Sequence, residues 1–402
     1  MPQFKFKGKN RIGNVVEGVR LGKNAGEVQA QLEKEQIQIL SIQKKGIELK
    51  IPGLGAKGAK VKLRDLSVFN RQLSVMFNAG LPITQGIGIL ASQQKNKGFA
   101  EALDGIKKEV EGGANLSNSM RKYPKIFNEL YTSLIQAGEA SGNLDTILLR
   151  LSSYIENITK LTGKVKSALA YPIAVLVIGV ILTGVILTKV VPVFQTMFES
   201  LGAKLPLPTQ IVVDASQFLR DNFFLIIIGM VVAVFAFKSY YATFKGKRVI
   251  DKLKLKLPIF GDLLMKVGVA RVTRTLATLL NSGVEIIEAI TITSRTAGNA
   301  IIEDTVLKSR VGVQEGRPLW EAWEETHVFP FMVTQMVSVG EQTGSLSTML
   351  EKIADFYDEE VDAAVSALIS LMEPIMIVFL GGLVGSVIVA MYLPMFDIIG
   401  KM

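Results

Sequence analysis

The chain has 402 residues, of which 49% are hydrophobic and 20% charged, with 45 Lys and Arg against 36 Asp and Glu. That length exceeds what one hydrophobic core needs, and the apolar balance points to a membrane protein of at least two domains. With no cysteine and one histidine, disulfides, zinc-thiolate sites, iron–sulfur clusters, thiol nucleophiles and two-histidine metal sites are excluded.

Residues 1–12 alternate Phe4 and Phe6 with Lys5, Lys7, Lys9 and Arg11 and contain no apolar core. No signal peptide is therefore expected, and the N-terminus is expected in the cytoplasm. Residues 3–19 predict a β-hairpin turning near Gly13, 26–35 an amphipathic helix and 37–42 a strand, so that 1–52 form a small α+β module. A Gly- and Lys-rich linker, 53–65, follows.

Residues 66–169 read as a first bundle of helices broken by turns. Gly80-Leu81-Pro82 separates the first two helices, because Gly accepts positive φ and Pro starts a helix well. Beyond Gly142, the spacing of Leu144, Ile147, Leu148, Leu151, Ile155, Ile158, Leu161 and Val165 makes one helix with a continuous apolar stripe. It should run on into the membrane, with Pro172 near the boundary.

A first span is expected over 170–189, a second over 222–240 and a third over 374–394, each near the roughly 20 residues a bilayer core requires. Residues 223–237 alone are short, and the second span needs Tyr240, Tyr241 and Phe244 at the interface while Lys238 snorkels; a buried core helix is the alternative. Lys160, Lys164 and Lys166 before the first span, and Lys238, Lys245, Lys247, Arg248, Lys252, Lys254 and Lys256 after the second, place both flanks in the cytoplasm. The loop 190–221 is then external, 241–268 a basic cytoplasmic linker, 269–373 a second bundle and 395–402 an external tail. The basic linker lacks interleaved stacking aromatics and adjoins a span, so anionic lipid rather than nucleic acid is its expected contact.

The two bundles are copies of one unit. Arg71-Gln-Leu and Asn78-Ala-Gly80 align with Arg274-Thr-Leu and Asn281-Ser-Gly283. After the loss of one residue near Tyr123, Gly138-Glu139-Ala-Ser-Gly142-Asn-Leu144 aligns with Gly340-Glu341-Gln-Thr-Gly344-Ser-Leu346. Tyr154 meets Phe356, Pro172 meets Pro374 and Pro192 meets Pro394, so the repeat includes a membrane helix.

No catalytic set is present. The five Gly-Lys pairs are followed by Asn, Asn, Val, Arg and Met, which excludes a P-loop, and no Gly-x-Ser-x-Gly elbow occurs. His327 fits an interhelical turn. Glu139 and Glu341 are the strongest polar candidates: each either caps the next helix or bonds backbone N–H groups in its turn, with both flanking glycines left-handed, or else meets a partner or a metal. Only hard oxygen donors are available, so calcium is the ion such a site would take. Gly381, Gly382 and Gly385 form a small-residue face in the third span, suited either to packing within the chain or to dimerisation.

The duplicated Gly-Glu-x-Ser/Thr-Gly-x-Leu turn, the paired Arg71 and Arg274 helices with their Gly80 and Gly283 turns, and the three spans resemble the platform proteins of type IV pili and the type II secretion protein F family. The resemblance covers nearly the whole chain. It implies a scaffold rather than an enzyme, in the bacterial inner membrane, on which hexameric pilus assembly or retraction ATPases dock. It further implies pilins and other inner-membrane pilus alignment proteins as partners, and a homo-oligomer, dimer or tetramer. In some relatives a calcium site joins two first-domain copies, and Glu139 lies in the corresponding region. The type II secretion platform is the alternative function, and a secondary transporter fits less well, since the third span carries no charge. Asp358, Glu359, Glu360 and Asp362, ahead of the third span, are expected to meet a basic partner, and the basic first copy to lie near lipid.

Overall fold

The computed structural model describes residues 3–9, 15–21, 25–34, 36, 38–44, 61–200 and 206–399. The hairpin turn near Gly13, most of the linker 53–65 and the last three residues of the tail lie outside them. The chain forms two compact units, Met1–Gly55 and Ala56–Met402.

In the first unit, alternation of Phe and Lys produces strand β1 (Gln3–Lys9), which pairs antiparallel with β2 (Val15–Leu21) on one side and β3 (Gln38–Lys44) on the other. Phe6 stands opposite Gly18 and Ile42, and the β1–β3 register shifts between Lys7 and Gly8. Helix α1 (Ala25–Lys34) buries Val28 and Leu32, one turn apart on a single face.

The second unit contains two homologous six-helix bundles. The first comprises α2 (Leu63–Asn78), α3 (Ile83–Gln93), α4 (Lys97–Glu111), α5 (Leu116–Arg121), α6 (Glu129–Ser141) and α7 (Leu144–Val185). The second comprises α12 (Phe260–Asn281), α13 (Ile286–Thr296), α14 (Ala300–Gln314), α15 (Leu319–Glu324), α16 (Phe331–Gln342) and α17 (Leu346–Ile399). The helix starts are duplicated as well. Asn96 accepts from the N–H of Phe99 at the head of α4, and its counterpart Asn299 accepts from Ile301 N–H at the head of α14. Gly80 and Gly283 both turn the chain with φ above +80°.

Aromatic packing fills the first bundle, with Phe69 and Phe99 rings 5.4 Å apart and Phe127 and Tyr131 rings 4.9 Å apart. In the second, Trp323 stacks on Phe329 at 4.3 Å and donates its indole N–H to Ser309. One hydrophobic cluster runs through both bundles and includes Tyr154, Ile155, Leu161 and Ala168 of α7 and Val361, Val365 and Leu368 of α17. The Tyr154 hydroxyl reaches Thr275 Oγ1 of α12 at 3.1 Å, and burial raises its pKa.

Helices α7 and α17 continue without interruption from the bundles into apolar segments, and α17 runs 54 residues through Pro374 and Pro394. They lie side by side in the same direction: Lys164 meets Asp362 at 2.6 Å, and further along a Cβ on Gly179 would collide with Leu380. With α10 (Phe223–Ala242), three helices are long and apolar enough to cross a membrane. None of α10 is buried within the chain, which rules out the buried-core alternative; the helix extends two residues past the expected boundary.

The loop expected over 190–221 is largely helical. A π-helical turn (Ile186–Val190) leads from α7 into α8 (Val191–Ser200), followed by α9 (Leu207–Asp221). Val191, Val213, Val387 and Met391 form a small second core there, and Ser216 Oγ donates to the Leu187 carbonyl at 2.5 Å. The segment expected as a basic linker over 241–268 is also ordered: it holds α11 (Phe244–Lys256) and the first turns of α12.

Candidate functional site

The duplicated turn places its glutamate in one setting twice. Glu139, half-buried on α6, accepts from the backbone N–H of Leu116 at 2.5 Å and of Ser117 at 3.2 Å, and from the Ser117 hydroxyl at 2.5 Å. Glu341 on α16 accepts from the N–H of Leu319 at 2.7 Å and of Trp320 at 3.0 Å. Each carboxylate thus serves the N-terminus of a short helix, α5 or α15, whose first N–H groups have no partner within the helix. This corrects the expectation that it caps the following helix: the helix served precedes it. The glycines divide the work rather than both turning left. Gly142 and Gly344 adopt φ of +73° and +69°. Gly138 and Gly340 lie inside helices, where a Cβ would stand 3.2 Å from Leu144 Cα or 3.0 Å from Leu346 Cα, so they admit the long helix that follows.

The same carboxylates are engaged within the chain. Both Glu139 oxygens are occupied by N–H and O–H donors, and among the described residues no group of three or more His, Asp or Glu could hold a metal. His327 is exposed in a turn at φ +50°.

Arginine and acid pairs repeat too, which the sequence reading did not recognise. Arg71 meets Glu156 at 2.7 Å in the first copy, and the matching Arg274 meets Asp358 at 2.6 Å and Asp355 at 2.8 Å in the second. Burial alone would lower the Arg274 pKa, but its two carboxylates outweigh that and raise it. The alignment of Arg71 with Arg274 and, after the one-residue loss, of Glu156 with Asp358 was the signal available.

The acidic run ahead of the third span is therefore mostly engaged inside the chain rather than presented to a basic partner. Asp358 holds Arg274, Glu360 holds Lys266 at 2.9 Å and Asp362 holds Lys164; Glu359 is exposed and forms no ion pair among the described residues. Likewise part of the basic segment is spent on the protein. Lys247 meets Glu303 at 2.9 Å and Arg248 grips both oxygens of Asp304 at 2.5 and 2.7 Å, tying α11 to α14. Asp251, buried between them, accepts from Ala300 N–H, the Tyr241 hydroxyl and Lys254, each at 3.0 Å. On the third span, among the described residues, a Cβ at Gly381, Gly382 or Gly385 would meet no other atom within 4 Å.

Open clefts lie among the described residues of the two bundles. One, of about 640 Å3, is lined by Asp304, Lys308, Glu315, Arg317 and Glu325 on the second bundle. The other, of about 360 Å3, lies between the bundles and is lined by Arg150, Tyr154, Asn157, Arg274, Asn281 and Glu351.

Comparison with known proteins follows the duplication. The family described as type II secretion system protein F matches residues 69–192 and again 272–394. The type IV pilus assembly protein PilC of Myxococcus xanthus is 43% identical over 401 residues, covering 99% of this chain and 95% of its own. PilC of Thermus thermophilus is 42% identical over 407 residues, covering 100% and 99%. The type II secretion system protein F of Vibrio cholerae is 28% identical over 400 residues, covering 99% and 98%. The chain is accordingly a membrane protein belonging to the family of PilC and type II secretion protein F.

Proposed function

We propose that this chain is the inner-membrane platform of a type IV pilus machine: it docks the hexameric cytoplasmic assembly ATPase and passes its motion to pilins as the filament grows. The observation that carries this reading is the continuity of α7 and α17 from bundle to apolar segment. A rigid helix transmits a displacement imposed at one end to the other, and these two are fastened along a shared core. The greater identity to pilus assembly proteins than to secretion protein F favours the pilus over the pseudopilus.

In this reading the bundles and the N-terminus face the cytoplasm, α8 and α9 lie outside with the C-terminus, and the protein supplies no chemistry of its own. Lys160 and Lys166, exposed beside the first span, and Lys245, Lys252 and Lys256, exposed beside the second, meet anionic headgroups on the cytoplasmic side.

The test is co-purification of the detergent-solubilised protein with the assembly ATPase of the same cell. Binding that stimulates ATP hydrolysis is expected; an intact, folded chain that neither binds the ATPase nor changes its rate contradicts the proposal.

A further inference from the structure

The two bundles touch through non-equivalent faces. From the first, α7 presents Arg150, Tyr154 and Asn157; from the second, α12 presents Arg274, Thr275 and Asn281. Tyr154 meets Thr275, the Arg150 guanidinium donates to the Asn281 carbonyl, and Asn157 and Arg274 line one cleft. A two-fold contact would use one face twice, and this one pairs α7 with α12. Among the described residues, no hydrogen bond or ion pair joins α2 to α17.

Duplication therefore leaves both halves of this contact open. On α17, Lys352, Phe356 and Glu359 match Arg150, Tyr154 and Asn157. On α2, Gln72, Val75 and Asn78 match Thr275, Thr278 and Asn281. Phe356 is 43% and Val75 63% exposed, and Lys352, Glu359, Gln72 and Asn78 are exposed as well. The chemistry is preserved in kind. A long cation stands where Arg150 reaches an asparagine carbonyl, and an aromatic ring stands where Tyr154 does. Glu359, the exposed acid without an ion pair, would fall by Arg71, which occupies the place of Arg274.

We propose that a second copy of this chain docks on these faces, with the α17 face of one copy (Lys352, Phe356, Glu359) on the α2 face of the next (Gln72, Val75, Asn78). The contact repeats between chains the α7-on-α12 contact made within one. Because α7 and α17 run in the same direction, repeating the step keeps every bundle on one side of the membrane. A head-to-tail contact of this kind adds copies along the membrane plane and forms a ring where the rotation per step closes. It is weaker than its template, because two internal ion pairs have no counterpart. Arg295–Glu129 becomes Ser92 and Phe331, and Lys164–Asp362 becomes Lys160 and Ser366.

The chain contains no cysteine, so cysteine crosslinking needs no background removal. Full-length chains carrying Gln72→Cys under one tag and Phe356→Cys under another are co-expressed and treated in the membrane with a bis-maleimide long enough to span the tyrosine side chain of the template contact, which holds the two backbones beyond disulfide reach. Tyr154→Cys with Thr275→Cys in one chain, whose internal crosslink is expected, reports on the template contact. The expected result is a covalent dimer bearing both tags, absent from either variant alone and reduced several-fold when Lys352→Glu is added to the Phe356→Cys chain. Three results would overturn the proposal: no mixed dimer while the internal crosslink forms, homotypic dimers in equal yield, or failure of the internal crosslink itself.

Discussion

Lys164 Nζ on α7 lies 2.6 Å from Asp362 Oδ2 on α17, joining the two membrane-entering helices just before their apolar segments. Both side chains are near half exposed, at 44% and 51%, so water screens the pair and it contributes less than about 1 kcal/mol. Leu161, Val361, Val365 and Leu368, buried in the same cluster, do most of the fastening. Thermal unfolding in detergent should therefore be little changed by Asp362→Asn, whereas Leu368→Ala should cost about 2–5 kcal/mol. Equal losses in the two variants would mean that the ion pair, not the apolar seam, joins the levers.

The glutamate caps predict matched costs in the two copies. Removing the carboxylate with Glu139→Ala or Glu341→Ala leaves two backbone N–H groups at a half-buried helix start without an acceptor, at a cost of about 1–3 kcal/mol each. Hydrogen exchange should quicken first at Leu116 and Ser117 in one variant, and at Leu319 and Trp320 in the other. Protection unchanged at those amides would remove the capping role.

Within the same turn the glycines should respond to different substitutions. Gly340→Ala brings a methyl to 3.0 Å from Leu346 Cα and from Met349 Cβ, and overpacking of that kind costs about 1–3 kcal/mol. Gly344, at φ +69°, has open space around it but a left-handed backbone, so Gly344→Asn should be tolerated better than Gly344→Val. Denaturation midpoints of the three variants check the order; a Gly340→Ala protein as stable as the parent would contradict the close-packing role.

Asp251 anchors α11 against α14. Burial alone would raise its pKa, but the Ala300 N–H, the Lys254 ammonium and the Tyr241 hydroxyl outweigh it and hold the carboxyl below its ordinary 3.8. A depressed carboxylate contributes stability that is present above the ordinary value and lost as pH falls through the folded one. The anchor should thus be unaffected from neutrality down to about pH 5 and weaken only in strong acid. Asp251→Asn should loosen it at neutral pH, read as faster exchange at Ala300. Loss of the anchor in the parent between pH 7 and 5 would contradict this assignment.

Much of the fold was legible because duplication and apolar length are sequence properties. The alignment of Asn78-Ala-Gly80 with Asn281-Ser-Gly283 announced two bundles, and uncharged stretches announced membrane helices. What Glu139 does was not legible, since its donors are backbone amides 22 and 23 residues away, and a backbone donor leaves no mark in a sequence. The acidic run misled for a related reason. Asp358 and Glu360 look like a surface patch until folding brings Arg274 and Lys266 beside them. The ordered helices α8, α9 and α11 were not legible because the charge balance of these segments carries no sign of their packing, in which Val191 and Val213 are buried and Asp251 is tied to Ala300.

The claim that α17 transmits force is tested most directly by kinking it ahead of its apolar segment. Ala363 is exposed on α17 and outside the shared core. Proline there removes one backbone hydrogen bond and kinks the helix, while Ala363→Leu keeps it straight. Filament assembly should be measured in cells carrying each variant, with ATPase binding and protein level in the membrane measured alongside. The account predicts that Ala363→Pro binds the ATPase at parental level yet assembles no filaments, and that Ala363→Leu does both. Filaments at parental level from a kinked α17 would contradict it.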